Sequence, residues 1–484
     1  MMSIPSCTAP KFRVAICGAG PGGLALAATL SRYNDPVAPV AIDIYESQPT
    51  LGTIGAGISV WPRTRHLLGR LGLMDGLKDE IGATERPEGG KGFHFRKSDP
   101  PEVGYNFYDM AMPTDPLLIH RSALVTVLRG GFDSHPFCTI HTSARLLSYS
   151  YSVESDTESP LTLNFSDGST TTADVLIGAD GIHSVVRATM FWGLSHGGDL
   201  PRQQPKWTGT VAYRSLIEPK TLDGIWKGHR ALTLPMMASL LTCSYCGKDK
   251  HVVTYPISQG TLINFVGFYT VPGAEGTTFS GKWVQDVLVE EVMACYAGFE
   301  PEVQALLKCF DKASAWAIHI LDSVPKSSDG PVAIIGDAAH AMETHFGAGA
   351  GQAMEDAYII GRLLTHPLTS RKHIHTALSI YDSARLKFAQ GVVISARMVG
   401  QMYEFGKGWA PPVRSTEQQE DEIQNASPQT PEAIDWAQRW GKEVSGRWCW
   451  QWEANIDADW DRAESQLKVS VQAAAVMGCC GDAS

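Results

Sequence analysis

Gly18, Gly20 and Gly23 stand between an apolar β-type run, Phe12–Ile16, and an apolar run, Leu24–Leu30, that reads as a helix. In such a strand–turn–helix unit the first glycine permits a tight turn. The second lets the backbone approach a pyrophosphate, and the third lets helix and strand pack closely. Free N–H groups at the helix start and the helix dipole then favour the anion. Glu46 ends the next strand, Val40–Tyr45, roughly 20 residues on, where a carboxylate accepts hydrogen bonds from ribose hydroxyls. The pattern binds an ADP half and leaves FAD and NAD open.

Two further clusters narrow the choice. A strand, Ala173–Ile177, runs into Gly178-Ala179-Asp180-Gly181, followed by Ser184 and Arg187. A second strand, Val332–Ile335, runs into Gly336-Asp337, and Gly347-Ala348-Gly349-Ala350-Gly351 then opens a helix. A carboxylate at a strand end faces the crevice where ligands bind in open α/β sheets. A glycine-rich helix start offers N–H groups to a pyrophosphate or to negative charge on a reduced flavin ring.

Jointly and in this order, the clusters resemble the FAD-dependent aromatic-ring monooxygenases of the p-hydroxybenzoate and salicylate hydroxylase type, over about residues 12–400. The run from Gly336 through Ala357 is most similar to fungal salicylate-hydroxylase-like enzymes. The resemblance implies that Gly18, Gly20, Gly23 and Glu46 hold the ADP part of FAD. It implies that Asp180 serves FAD and the pyridine nucleotide, and that Asp337 holds the ribityl chain. Ala56, Gly57, Arg121, Gly349 and Ala350 are implied near the flavin. It further implies NADH or NADPH as a transient reductant, O2 as co-substrate and an oxygen-donating flavin hydroperoxide. One departure is Thr344 before His345, where the family usually has a Pro whose carbonyl faces the substrate.

That chemistry needs an electron-rich ring, best a phenolate, with a fixed cation to lower the phenol pKa and a dry pocket. Arg214, in Val211-Ala212-Tyr213-Arg214, is the candidate cation. Tyr213 points to the opposite face if the strand alternates. Tyr245 resembles the tyrosine that related fungal hydroxylases set beside the phenolate, and His345 is the candidate proton relay. His319 and His340 are expected to be structural. The substrate reading is a salicylate- or hydroxybenzoate-like phenol, with oxidative decarboxylation an open outcome. The alternatives are a larger polyketide or prenylated phenol, a flavin-dependent halogenase, or a non-enzymatic flavin-fold binding protein. The halogenase box is poorly matched by Trp448-Cys449-Trp450-Gln451-Trp452, which lacks Ile-Pro.

The elements that must position these residues imply an α/β fold. A Rossmann-like FAD-binding domain (11–85, 113–200, 326–400) is interleaved with a mostly antiparallel β-sheet substrate domain (86–112, 201–325). C-terminal helices follow in 401–484, behind a Pro-, Gln-, Glu- and Ser-rich acidic linker. Tryptophans between 436 and 460 are expected as core, interdomain or homodimer contacts, with Asp457, Asp459, Asp461 and Glu464 on the solvated side. The chain has 484 residues, 40 Lys and Arg against 51 Asp and Glu, and a net charge of −11. That balance argues against nucleic acid and anionic membranes as partners. No apolar run approaches the ~18 residues needed for a membrane span. No leader pattern stands at the N-terminus, so a cytoplasmic location with reduced thiols is expected. The Cys243-x-x-Cys246 pair lacks a partner pair, and no metal is expected.

Overall fold

A computed structural model describes residues 9–51, 57–81, 91–114, 116–151, 160–194, 203–236, 242–257, 260–413, 418, 422, 425 and 427–481. The central sheet has six strands in the order Ser328–Asp329, Val332–Ile334, Val175–Gly178, Phe12–Cys17, Val40–Tyr45 and Cys138–His141. All neighbours are parallel except the first pair. In register, Cys17 lies opposite both Gly178 and Tyr45, and Gly178 lies opposite Ile334. Parallel strands in this register end at one edge. The turns carrying Gly18, Glu46, Asp180 and Asp337 therefore converge on one crevice. The four inner strands are largely apolar and buried, as a sheet covered on both faces requires.

Helix Pro21–Arg32 packs against helix Gly349–Thr365. Small residues set the distance: a Cβ on Gly22 would lie 3.1 Å from the Ala353 Cβ. Buried charges hold the second helix. Arg63 pairs with Glu355 through two hydrogen bonds of 2.7 and 3.0 Å. Fully buried Arg385 reaches Asp356 at 3.0 Å and Gln352 at 2.7 Å.

The second sheet has eight strands: Val284–Val287, Ala313–Ile320, Lys206–Ile217, Leu262–Thr270, Lys250–Ile257, Thr242–Gly247, Lys91–Lys97 and Tyr105–Ala111. Only the Thr242–Gly247/Lys91–Lys97 pair is parallel. A short antiparallel pair, Gly57–Val60 with Leu117–His120, lies between the strand-end crevice and this sheet. Cys243 and Cys246 are buried, unbonded strand residues.

Helices Pro431–Trp448 and Asp457–Gly481 follow. Trp436, Trp440 and Trp448 are buried in a core with Phe93, Phe95 and Phe107, so these tryptophans are core within one chain. Asp457 and Asp459 depart from the expected solvated role. Asp457 bonds to His66 at 2.7 Å and to Arg70, and Asp459 accepts from Arg63 at 2.7 Å. Helix packing turned them toward the cations of helix Pro62–Arg70.

Candidate active site

Gly18 has a φ of +103°, and a Cβ there would collide with the Ala179 carbonyl. A Cβ on Gly23 would collide with the Gly18 carbonyl. At Gly20, by contrast, a Cβ would meet no protein atom within 4 Å. The first and third glycines are thus required by the fold, and the second faces open space at a helix start. Glu46 Oε2 accepts from the Ala19 amide at 2.9 Å, which ties the carboxylate to the glycine turn.

Asp180 caps helix Val185–Leu194 by accepting from the amides of Val185 at 2.8 Å and Val186 at 3.1 Å with one oxygen. Its other oxygen is buried with no partner among the described residues, and burial pushes the carboxyl pKa up. Arg187 donates to the carbonyls of Gln203, Ala338 and Ile182, a structural clamp between this helix and the Asp337 turn. Asp337 opens into the crevice; the surrounding protein pushes its carboxyl pKa up, and His340, Arg121 and Arg187 oppose that. Arg121 opens helix Arg121–Gly130 and makes no side-chain hydrogen bond or ion pair among the described residues. A Cβ on Gly349 would lie 4.0 Å from Asp337 Oδ1, and Ala350 follows in the same first turn. Ala56 lies outside the described residues. Gly57 is the residue paired with His120, one position before Arg121.

Arg214 lies on the face of the eight-stranded sheet that looks toward this crevice. Its guanidinium stacks on Trp316 at 4.7 Å, and its Nε is buried without a partner among the described residues. Burial pulls its pKa below the ordinary value, and the Tyr255 hydroxyl opposes that. A Cβ on Gly57 would sit 3.6 Å from that same hydroxyl. The flavin-side strand and the Arg214 face therefore meet at Tyr255.

Tyr245 does not join them. Register runs Tyr213–Gly267–Val252–Tyr245 along one row and Arg214–Val266–Val253–Ser244 along the next. Adjacent rows point to opposite faces. Tyr245 is fully buried on the far face and donates to Glu302 Oε1 at 3.1 Å, so it does not share a face with Arg214, as the expected pairing of the two would need. Tyr255, two residues beyond Val253, shares the Arg214 face. The sequence reading missed it because parity between non-consecutive strands depends on register. Tyr213 points away from Arg214, as alternation required.

His345 sits in the turn Thr344–Phe346, with its ring 4.6 Å from Phe268 on the Arg214 face. Its Nε2 is 3.0 Å from Glu343. The Thr344 carbonyl, at the position before His345, accepts from the Gly347 amide at 3.0 Å. His340 bonds to Asp356 at 2.6 Å and His319 to the Ala317 carbonyl at 2.9 Å, both structural.

Residues 11–206 and 300–396 match the model of the FAD binding domain family. Salicylate hydroxylase from Pseudomonas putida is 30% identical over 475 residues, covering 96% of each chain. 6-Methylsalicylate 1-monooxygenase from Aspergillus terreus is 30% identical, covering 92% of this chain and 90% of that one. A solved salicylate hydroxylase substrate complex superposes with a TM-score of 0.72 at 28% identity, covering 94% of this chain and 98% of that one. The chain belongs to the FAD-dependent aromatic monooxygenases and is salicylate hydroxylase-like. It is an enzyme and its cofactor is FAD. The open face of Gly20, the exposed Asp337, and the Asp180 oxygen and Arg121 guanidinium that have no partner among the described residues fit that cofactor. No described helix of this monooxygenase is long and apolar enough to cross a membrane.

Proposed function

We propose that this enzyme hydroxylates a salicylate- or hydroxybenzoate-like phenol, with NADH or NADPH as reductant and O2 as oxidant. When bound and reduced, FAD supplies oxygen activation and transfer of one oxygen atom to the ring. Gly18, Gly20 and Gly23 with the start of helix Pro21–Arg32 would hold the pyrophosphate, and Glu46 the ribose. Asp180, Asp337, Arg121, Gly57, Gly349 and Ala350 would hold the remainder. The same proposal divides the chain into FAD-binding, substrate and C-terminal parts, and includes a cytoplasmic homodimer.

Arg214 carries the substrate reading. A half-buried guanidinium whose buried Nε has no partner among the described residues is costly unless an anion completes it. A phenolate or carboxylate meeting Arg214 beside the Tyr255 hydroxyl would satisfy the guanidinium and hold the ring electron-rich. Trp316, Val266 and Phe268 would keep water from it. His345 would accept the phenol proton. The test is NAD(P)H consumption by purified enzyme across a panel from simple hydroxybenzoates to larger phenols, with product identification. Carbon dioxide release per O2 consumed separates decarboxylation from simple hydroxylation. Consumption that yields only peroxide for every phenolic acid would reject this substrate class.

A further inference from the structure

A set of buried ionisable groups lies behind His345. One Glu343 oxygen holds His345 Nε2 at 3.0 Å, and the other accepts from Arg397 Nη1 at 3.2 Å. Arg397 also pairs with exposed Glu275. On the inner side, His251 is fully buried, its ring 5.2 Å from that of His345. Its Nδ1 is 3.1 Å from Glu404 Oε1. Burial pushes the Glu404 carboxyl up to about 7, against a hydrogen bond from Thr270. Burial also holds His251 well below its ordinary value. A cleft is lined by Thr208, Thr270, Glu343, His345, Arg397 and Glu404. His345 Nδ1 is buried and has no partner among the described residues.

An imidazole with one nitrogen on a carboxylate and the other unengaged has the parts of a general base. Helix Ile374–Tyr403 seats it closely, since a Cβ on Gly400 would collide with its ring. The titratable and charged groups around it are Glu343, His251, Glu404 and Tyr403, with Arg397, Glu275 and Asp249 in the next layer.

We propose that Glu343 and Glu404 are positioning residues of a proton relay that runs from His345 to the cleft beside Arg397. The proposal rests on the reading of His345 as the substrate-side base. In the relay a phenol O–H bond breaks and an N–H bond forms at His345 Nδ1. Nε2 passes its proton to Glu343, and that proton leaves to water in the cleft. Glu404 holds His251 by its Nδ1, and so fixes the ring that packs 5.2 Å from that of His345. No electrons are exchanged.

The test uses FAD-loaded enzyme carrying Glu343→Gln, Glu343→Asp or Glu404→Gln, each checked for bound flavin by visible absorbance. The pH profile of kcat is recorded for each, beside KM. In Glu343→Gln the acid limb of kcat moves to lower pH, because an opposite charge beside the imidazole is removed, and the plateau falls ~10- to 100-fold. Glu343→Asp restores part of both. Glu404→Gln lowers the plateau with KM unchanged. Glu343→Gln carries the test alone if Glu404→Gln does not fold. An acid limb that stays in place in Glu343→Gln, or a plateau that does not fall, overturns the relay. Failure of every phenol to be hydroxylated by the wild-type enzyme would count against the substrate reading instead.

Discussion

Asp356 Oδ2 lies 2.6 Å from His340 Nε2 and accepts the Gly336 amide at 3.1 Å, so one buried carboxylate grips both ends of the turn that presents Asp337. Gly336 has a φ of +59°, a conformation that needs this support. The other oxygen of Asp356 pairs with Arg385. Asp356→Asn leaves that arginine and His340 partly uncompensated. It should destabilise the protein by ~3–5 kcal/mol and weaken FAD binding through the loosened turn. Urea unfolding and flavin titration measure the two effects. Unchanged stability would show that the network is not under load.

The glycine turn separates folding from cofactor binding. Gly20→Ala adds a methyl where no protein atom lies within 4 Å, at a φ of −75° that any residue adopts. The apoprotein should melt within about 1 °C of wild type, while FAD affinity falls by roughly 10-fold or more, since the methyl occupies the phosphate approach. Gly18→Ala, at φ +103° against the Ala179 carbonyl, should unfold the turn itself. Equal loss of apoprotein stability in both variants would reject the distinction.

Arg214 and the two tyrosines make opposite predictions. Arg214→Gln should raise KM for a phenolic acid ~10- to 100-fold, the equivalent of the ~1.5–3 kcal/mol of a hydrogen bond to a charged group. Tyr255→Phe should also raise KM, by a smaller factor. Tyr245→Phe should leave KM unchanged and destabilise the fold by ~1 kcal/mol through the lost bond to Glu302. Steady-state kinetics beside thermal melts decide this, and a KM effect confined to Tyr245→Phe would restore the original assignment.

Glu404 gives stability a pH dependence of defined sign. Its folded-state pKa is about 7, above its ordinary value of 4.5, because it is buried. Between those values the unfolded chain ionises while the folded chain keeps its proton. The unfolded state then binds fewer protons, and stability falls as pH rises through the window. The loss is about 3 kcal/mol at most. Glu404→Gln should flatten the decline between pH 5 and 8 in denaturant melts. A decline of wild-type size in the variant would place its origin elsewhere.

By itself the sequence determined the cofactor half of this protein. Glycine spacing, strand-end carboxylates and a glycine-rich helix start are local patterns. Each works within one strand–turn–helix unit, where a few consecutive residues set the geometry. Parallel register then had one way to bring Gly18, Glu46, Asp180 and Asp337 to a common edge. Only the tertiary structure decided which side chains share a face with Arg214. Which tyrosine shares a face with Arg214 depends on register across strands far apart in the chain, and a shift of one residue exchanges the faces. That parity moved the assignment from Tyr245 to Tyr255. Likewise Glu343, His251, Arg397 and Glu404 lie on three separate elements and show no common motif. Their charges interact because packing buries them together, where weak screening makes each proton depend on its neighbours.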